Sequence, residues 1–156
     1  MYQPGHCGVA LALYAPIGCG LVATGSPTYA LLGGVITVVL TMIPDLDTRT
    51  PRLEHRGPTH SIAFAGTVGI LTALAGGLLG GVQAAEFGLL VGTLAIVSHL
   101  LADVITPMGV RPFWPLSERN FTLDIVPASD LRANVLLFVL GLVSAGGAWT
   151  LGHLLG

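Results

Sequence analysis

An all-α, polytopic membrane protein with about five transmembrane helices is the fold class this sequence predicts. Three observations carry it: a shortage of charge, five long apolar stretches, and an arginine distribution that sorts to one side of them. The 156 residues are 53% hydrophobic and 9% charged. An ordinary soluble domain carries roughly 25% charged residues, and a sphere of this size cannot cover its surface with so few. A soluble globular protein and a disordered chain are therefore excluded. Six Arg, no Lys and a net charge of −2 build no basic patch, which excludes a nucleic-acid binder. The length fits one transmembrane domain over residues 1–156.

Crossing a bilayer takes about 20 apolar residues. Segment 1 runs from Cys7 to Thr24 and contains Pro16, where a kink is expected. Gly25-Ser26-Pro27 then signals a tight turn. Segment 2 runs from Thr28 to Ile43 and stops at Pro44. Segment 3, Ser61 to Gly81, has no charge at all. Val82 to Glu86 is expected to form a short turn before segment 4, Phe87 to Thr106, which Pro107 ends. Segment 5 is Ala133 to Leu155. Gly76, Gly77, Gly80 and Gly81 have the small-xxx-small spacing that lets helix backbones approach closely. Cys7 and Cys19 are twelve residues apart, roughly 18 Å along a helix, beyond disulfide reach. The first positively charged side chain is Arg49, so no positive region of a signal peptide precedes segment 1, and the first helix is expected to stay in the mature protein.

Five crossings place the N-terminus and both long connections, residues 45–60 and 107–132, on one side. Every arginine falls there: Arg49, Arg52 and Arg56 in one connection, Arg111, Arg119 and Arg132 in the other. The positive-inside rule then puts this side in the cytoplasm of a multi-pass cytoplasmic-membrane protein. Adding or removing one crossing would split the arginine set.

Groups with metal-ligand chemistry gather at the same side: His6, Asp45, Asp47, His55, His60, His99 and Asp103. His99 and Asp103 are four apart in segment 4 and share a helix face. Ionisable groups within a span are costly, and are either paired or functional; a simple His–Asp hydrogen bond between helices is the plainer reading. Pro58 suits a first helical turn, which places His60 at the start of segment 3, where the helix dipole keeps the imidazole neutral for binding. Asp45 and Asp47 follow Pro44 at the end of segment 2, where they are cap residues, or carboxylates that a nearby cation relieves. His6 starts segment 1 at the same face. Seven groups exceed the three or four ligands of one tetrahedral zinc, so two ions, or one ion and a general base, are expected. Imidazole-rich sites favour zinc, with manganese or iron as alternatives. Arg56, inside the His55–His60 pair, and Arg111 have the geometry to clamp phosphate.

The ordered blocks Pro44-Asp45-Leu46-Asp47, His55-Arg56-Gly57-Pro58-Thr59-His60-Ser61, Ser98-His99-Leu100-Leu101-Ala102-Asp103 and Thr106-Pro107-Met108-Gly109-Val110 with Trp114-Pro115 resemble the YdjM-type family, as does the early Gly5-His6. The resemblance covers roughly residues 5–115. It implies a membrane-bound, metal-dependent hydrolase. A looser analogy exists to zinc-dependent phospholipase C and related nucleases, all-helical enzymes with several His and Asp ligands.

The expected function is hydrolysis of a phosphoester in a phospholipid or other amphiphilic, anionic substrate at the cytoplasmic face. Asp47 is expected to accept the proton of the attacking water, and Arg56 and Arg111 to stabilise developing negative charge. The alternatives are a non-catalytic metal-binding scaffold and a metal-ion transporter. No His-Glu-x-x-His or Gly-x-Ser-x-Gly motif is present. Trp114, Phe113 and Phe121 are expected to anchor the second connection at the interface, and a re-entrant piece fits its length. His153 exits on the far side and is expected to be irrelevant. Beyond the lipid bilayer and substrate, a homo-oligomer through the glycine-rich face of segment 3 is the remaining expected partner.

Overall fold

The computed structural model describes residues 1–49 and 56–156. The described residues form four α-helices: α1 Gln3–Ala23, α2 Pro27–Leu40, α3 Ile62–Val104 and α4 Leu131–Leu155. Two short 3-10 turns, Pro44–Arg49 and Pro58–His60, lie between α2 and α3. There is no sheet among the described residues, only an isolated antiparallel bridge between Val110 and Phe121. All four helices are long and apolar enough to cross a membrane once the apolar stretch of α2 is followed to Asp47.

The helix boundaries follow local chemistry. α1 runs unbroken through Pro16, so the expected kink there is no break. Gly25, at φ 78°, turns the chain, and Pro27 opens α2 at a position where its missing N–H costs nothing. Ser61 caps α3 by accepting a hydrogen bond from the Phe64 N–H at 3.1 Å. Asp130 does the same for α4 through the Ala133 N–H at 3.0 Å.

At 43 residues α3 would span about 64 Å if straight, twice the hydrocarbon core. It does not run straight. Gly81 sits at φ 75°, ψ −160°, a region open essentially to glycine alone, and the chain doubles back there. Residues on the two arms touch: the Thr72 hydroxyl donates to the Gly88 carbonyl at 2.7 Å, and Gly76 and Gly88 lie directly against the backbones of Ala84 and Thr72. The expected Val82–Glu86 turn is therefore corrected. One glycine reverses the chain and residues 82–86 stay helical. Counting the two arms of α3 separately recovers five apolar segments.

The direction of α4 fixes the parity. Tyr2 meets Asn134, Gly8 meets Leu137 and Gly141, and Val22 meets Gly152. Contacts therefore advance together along α1 and α4, and the two helices run parallel. Parallel first and last helices require an odd number of crossings. The Gly8–Gly141 approach allows backbone-to-backbone packing that a Cβ at either position would block. α1 contacts α2, α3 and α4 in turn. The second arm of α3 runs alongside α2, with Phe87 against Gly33 and Ser98–His99 against Thr41. The ends of α1, α2 and this arm meet at one end of the bundle. The 107–132 connection folds over that end, held by the Leu123 N–H to the Val104 carbonyl (2.7 Å) and the Ile62 N–H to the Pro112 carbonyl (2.9 Å).

Candidate metal centre

Four separate pieces of chain deliver polar side chains to one point. His6 comes from the first turns of α1, Asp45 from the first 3-10 turn, His60 from the second, and His99 with Asp103 from the end of α3. All are buried except Asp45, whose side chain retains 30% exposure. One ligand atom from each of His6, Asp45, His99 and Asp103 lies within 4.8 Å of all the others. His60 Nε2 joins them, 3.6 Å from Asp45 Oδ1, 3.6 Å from Asp103 Oδ2 and 3.1 Å from His99 Nε2. The His6 and His99 rings stack at 3.9 Å between centroids.

The hydrogen bonds behind these rings assign their tautomers. His99 Nδ1 lies 2.7 Å from the Thr41 carbonyl. A carbonyl only accepts, so the ring proton is on Nδ1 and Nε2 carries the lone pair. His60 Nδ1 lies 3.0 Å from the Thr59 hydroxyl, whose own proton goes to Asp47 Oδ2 at 3.0 Å, so Nδ1 is again the donor, with the Asp47 carboxylate 3.3 Å away. As neutral rings, both therefore direct Nε2 lone pairs toward each other across 3.1 Å. Burial lowers the His60 pKa below its ordinary value, opposed in part by the neighbouring Asp45 carboxylate, so the neutral ring is the favoured form. Both nitrogens of His6 and Asp103 Oδ2 are buried without a hydrogen-bond partner among the described residues. Orphaned buried donors and acceptors of this kind are costly, and a cation between them would satisfy them together. The set of three imidazoles and two carboxylates fits a divalent transition metal.

Asp47 does not face this point. Its Oδ2 accepts from the Arg56 N–H (3.1 Å) and the Thr59 hydroxyl (3.0 Å) and lies behind His60. Asp47, expected as a ligand or proton acceptor, thus has its Oδ2 on the Nδ1 side of His60, away from the Nε2 atoms that converge. Arg56 is also placed differently from expectation. Its Nη2 donates to Asp103 Oδ1 at 2.9 Å, and its Nη1 donates to the Gly109 carbonyl at 2.7 Å and the Thr106 hydroxyl at 3.2 Å. These bonds make it a strut for Asp103, not a guanidinium aimed at an incoming phosphate. Arg111 stands apart, lining a neighbouring cleft with Arg56 and Asn120. The N-terminal amine of Met1 also reaches Asp103 Oδ1, at 2.8 Å. His55, together with Arg52, lies outside the described residues. His60 belongs to a 3-10 turn ahead of α3, not to the helix itself, so burial, opposed in part by Asp45, sets its state in place of a helix dipole. His153 is exposed in the last turn of α4, beside Trp149 at the opposite end of the bundle.

Sequence reasoning missed the Thr41 carbonyl and the Thr106–Gly109 turn. The first had a signal. Thr41 caps α2, and carbonyls of a last helical turn lack intrahelical partners. A cleft of 410 Å³ opens onto the cluster past Asp45, between Tyr2, Met42, Arg56, Met108 and Ser129.

Comparison with known proteins agrees with the membrane fold at the level of family. The profile of the family described as YdjM inner membrane protein matches residues 1–155. Inner membrane protein YbcI of Escherichia coli (strain K12) is 32% identical over 115 residues, which cover 67% of this chain and 64% of that relative. The match thus spans a little under two thirds of the relative's length. No solved structure matches.

Proposed function

The chain belongs to the YdjM inner membrane protein family, and from that premise and the side-chain cluster we propose that it is a metal-dependent hydrolase acting on a phosphoester of an amphiphilic substrate. The observation that carries this reading is the pair of buried imidazoles, His60 and His99, with Nε2 atoms 3.1 Å apart and acceptors fixed behind each ring. His6, Asp45, His60, His99 and Asp103 would hold the ion. Three carboxylates (Asp45, Asp47 and Asp103) against Arg56, the Met1 ammonium and one dication leave a small positive charge that a second dication would raise further. One ion fits this better than two, which sit about 3.5–4 Å apart in paired-metal sites. Zinc is the first choice, with manganese or iron as alternatives.

A divalent ion bound there would supply Lewis acidity and activate water near neutral pH. Asp45 stands at the mouth with part of its side chain exposed, where incoming water arrives. It would accept a proton as the water oxygen bonds to phosphorus, and return it to the leaving alkoxide as the ester P–O bond breaks. Arg56 would hold Asp103 in place through its Nη2, and Asp47 would hold His60. The arginine distribution places this end at the cytoplasmic face. The open 410 Å³ cleft weighs against a closed structural ion. Among the described residues the far end offers only the exposed Glu86 and His153, which weighs against an ion path across the membrane.

The test is purified protein loaded with zinc, manganese or iron and assayed on a panel of phosphate and carboxyl ester lipids. Turnover that disappears in His99→Ala is the expected result. Tightly held metal with no turnover across the panel would refute the enzyme and leave the scaffold.

A further inference from the structure

Below the mouth of the cluster, α2 and α4 stand on either side of α1 and leave a furrow between them. Its lower part is a cavity of 210 Å³ with an almost wholly apolar lining. There α1 supplies the floor with Leu11, Ala15 and Gly18, while Leu31 and Val35 of α2 face Ala148 and Trp149 of α4. The upper part is the polar cleft already described, where α1 contributes Gln3, the chain just past α2 contributes Met42, and the chain just before α4 contributes Ser129. The same three elements thus flank both parts in the same order.

Helical periodicity joins them. On α1, Gln3, Cys7, Leu11 and Gly18 fall on one stripe of the helix surface. Gln3 lies in the upper cleft, Leu11 and Gly18 lie in the lower cavity, and half-buried Cys7 lies between them. From Gln3 to Gly18 the stripe is about 23 Å long at 1.5 Å per residue. That exceeds one leaflet of a hydrocarbon core about 30 Å thick. The lower cavity is almost wholly apolar, the upper cleft is polar where Asp45 and Arg56 line it, and the α1 stripe runs from one to the other.

We infer that an anionic membrane amphiphile binds with its headgroup at the cation cluster and one hydrocarbon chain lying in the furrow between α2 and α4. This rests on the hydrolase reading and narrows its substrate to a lipid that enters sideways from the bilayer. A water-soluble phosphoester would use only the upper cleft. The cation cluster selects the headgroup; the furrow selects the chain.

Trp149 reports on the furrow directly. The chain has two Trp, so Trp114→Phe leaves Trp149 as the sole fluorophore. This variant, metal-loaded in nanodiscs of unbrominated phosphatidylcholine, is titrated with an alkyl phosphate brominated at mid-chain, and separately with the alcohol of the same chain. Half-maximal quenching is expected at a mole fraction about tenfold lower for the phosphate. Ala148→Leu, or Ala145→Leu should the first fail to fold, fills the furrow and is expected to abolish that preference. Equal quenching by both probes, or a preference that survives the filled furrow, would overturn the inference. Hydrolysis of a short-chain phosphoester is read in parallel. Preferential quenching without turnover keeps the furrow and sinks the hydrolase. Turnover without preferential quenching does the reverse.

Discussion

Replacing Asp47 by Asn separates orientation from ligation in this site. Asp47 Oδ2 accepts from the Arg56 N–H and the Thr59 hydroxyl, and it faces His60 Nδ1 at 3.3 Å. The amide oxygen of Asn keeps the shape and accepts from the first two donors. It carries no charge, however, so the Nδ1–H of His60 loses its ionic acceptor and Nε2 loses basicity. Substitutions of this kind typically cost 10–100-fold in metal affinity, roughly 1.4–2.8 kcal/mol. His99→Ala removes a donor atom outright and is expected to cost far more. The assay is competition against a chelator of known affinity, with circular dichroism confirming helix content. Asp47→Asn as damaging as His99→Ala would put Asp47 in direct contact with the ion. Unchanged affinity would remove its orienting role.

Other parts of the fold make separate predictions. Arg56→Met leaves Asp103 with the Met1 ammonium as its remaining cationic partner, so the loss should fall below the roughly 3–5 kcal/mol of a fully broken buried pair; thermal unfolding of the metal-free variant should show it, and an unshifted midpoint would refute the strut role. Gly8→Leu drives a side chain into the Leu137 backbone. It should destabilise by about 1–3 kcal/mol or more, read as lost resistance to detergent-induced unfolding, whereas Gly146→Leu, which meets no neighbour, should be nearly neutral. Gly81→Val forces a branched residue into φ 75°, at a cost of about 1–3 kcal/mol. Loss of a cysteine cross-link engineered between positions 72 and 88 would report the opened α3 turn.

The crossing count was legible because apolar run length and arginine placement are properties of the sequence itself. The α3 turn was not placed correctly. Gln83 and Glu86 looked like a polar connection, yet Gly81 alone permits the backbone angle that reverses the chain, and a helix start tolerates an exposed Glu. The cluster members His6, Asp45, His60, His99 and Asp103 could be named from their side of the membrane. Their mutual geometry could not, since it depends on how α1 and the two arms of α3 pack. The placements of Asp47 and Arg56 were not legible for the same reason. Alternation along the chain does not say that Asp45 points inward while Asp47 reaches behind His60, nor that the Thr106–Gly109 turn would present acceptors to a guanidinium.

Metal content by elemental analysis, combined with anomalous scattering from crystals of the purified protein, tests the central claim most directly. The account predicts one transition-metal ion per chain, bounded by His6, Asp45, His60, His99 and Asp103, lost in His99→Ala and retained in His153→Ala. Metal-free protein after purification with added zinc, manganese or iron, or an ion bound elsewhere, would contradict it.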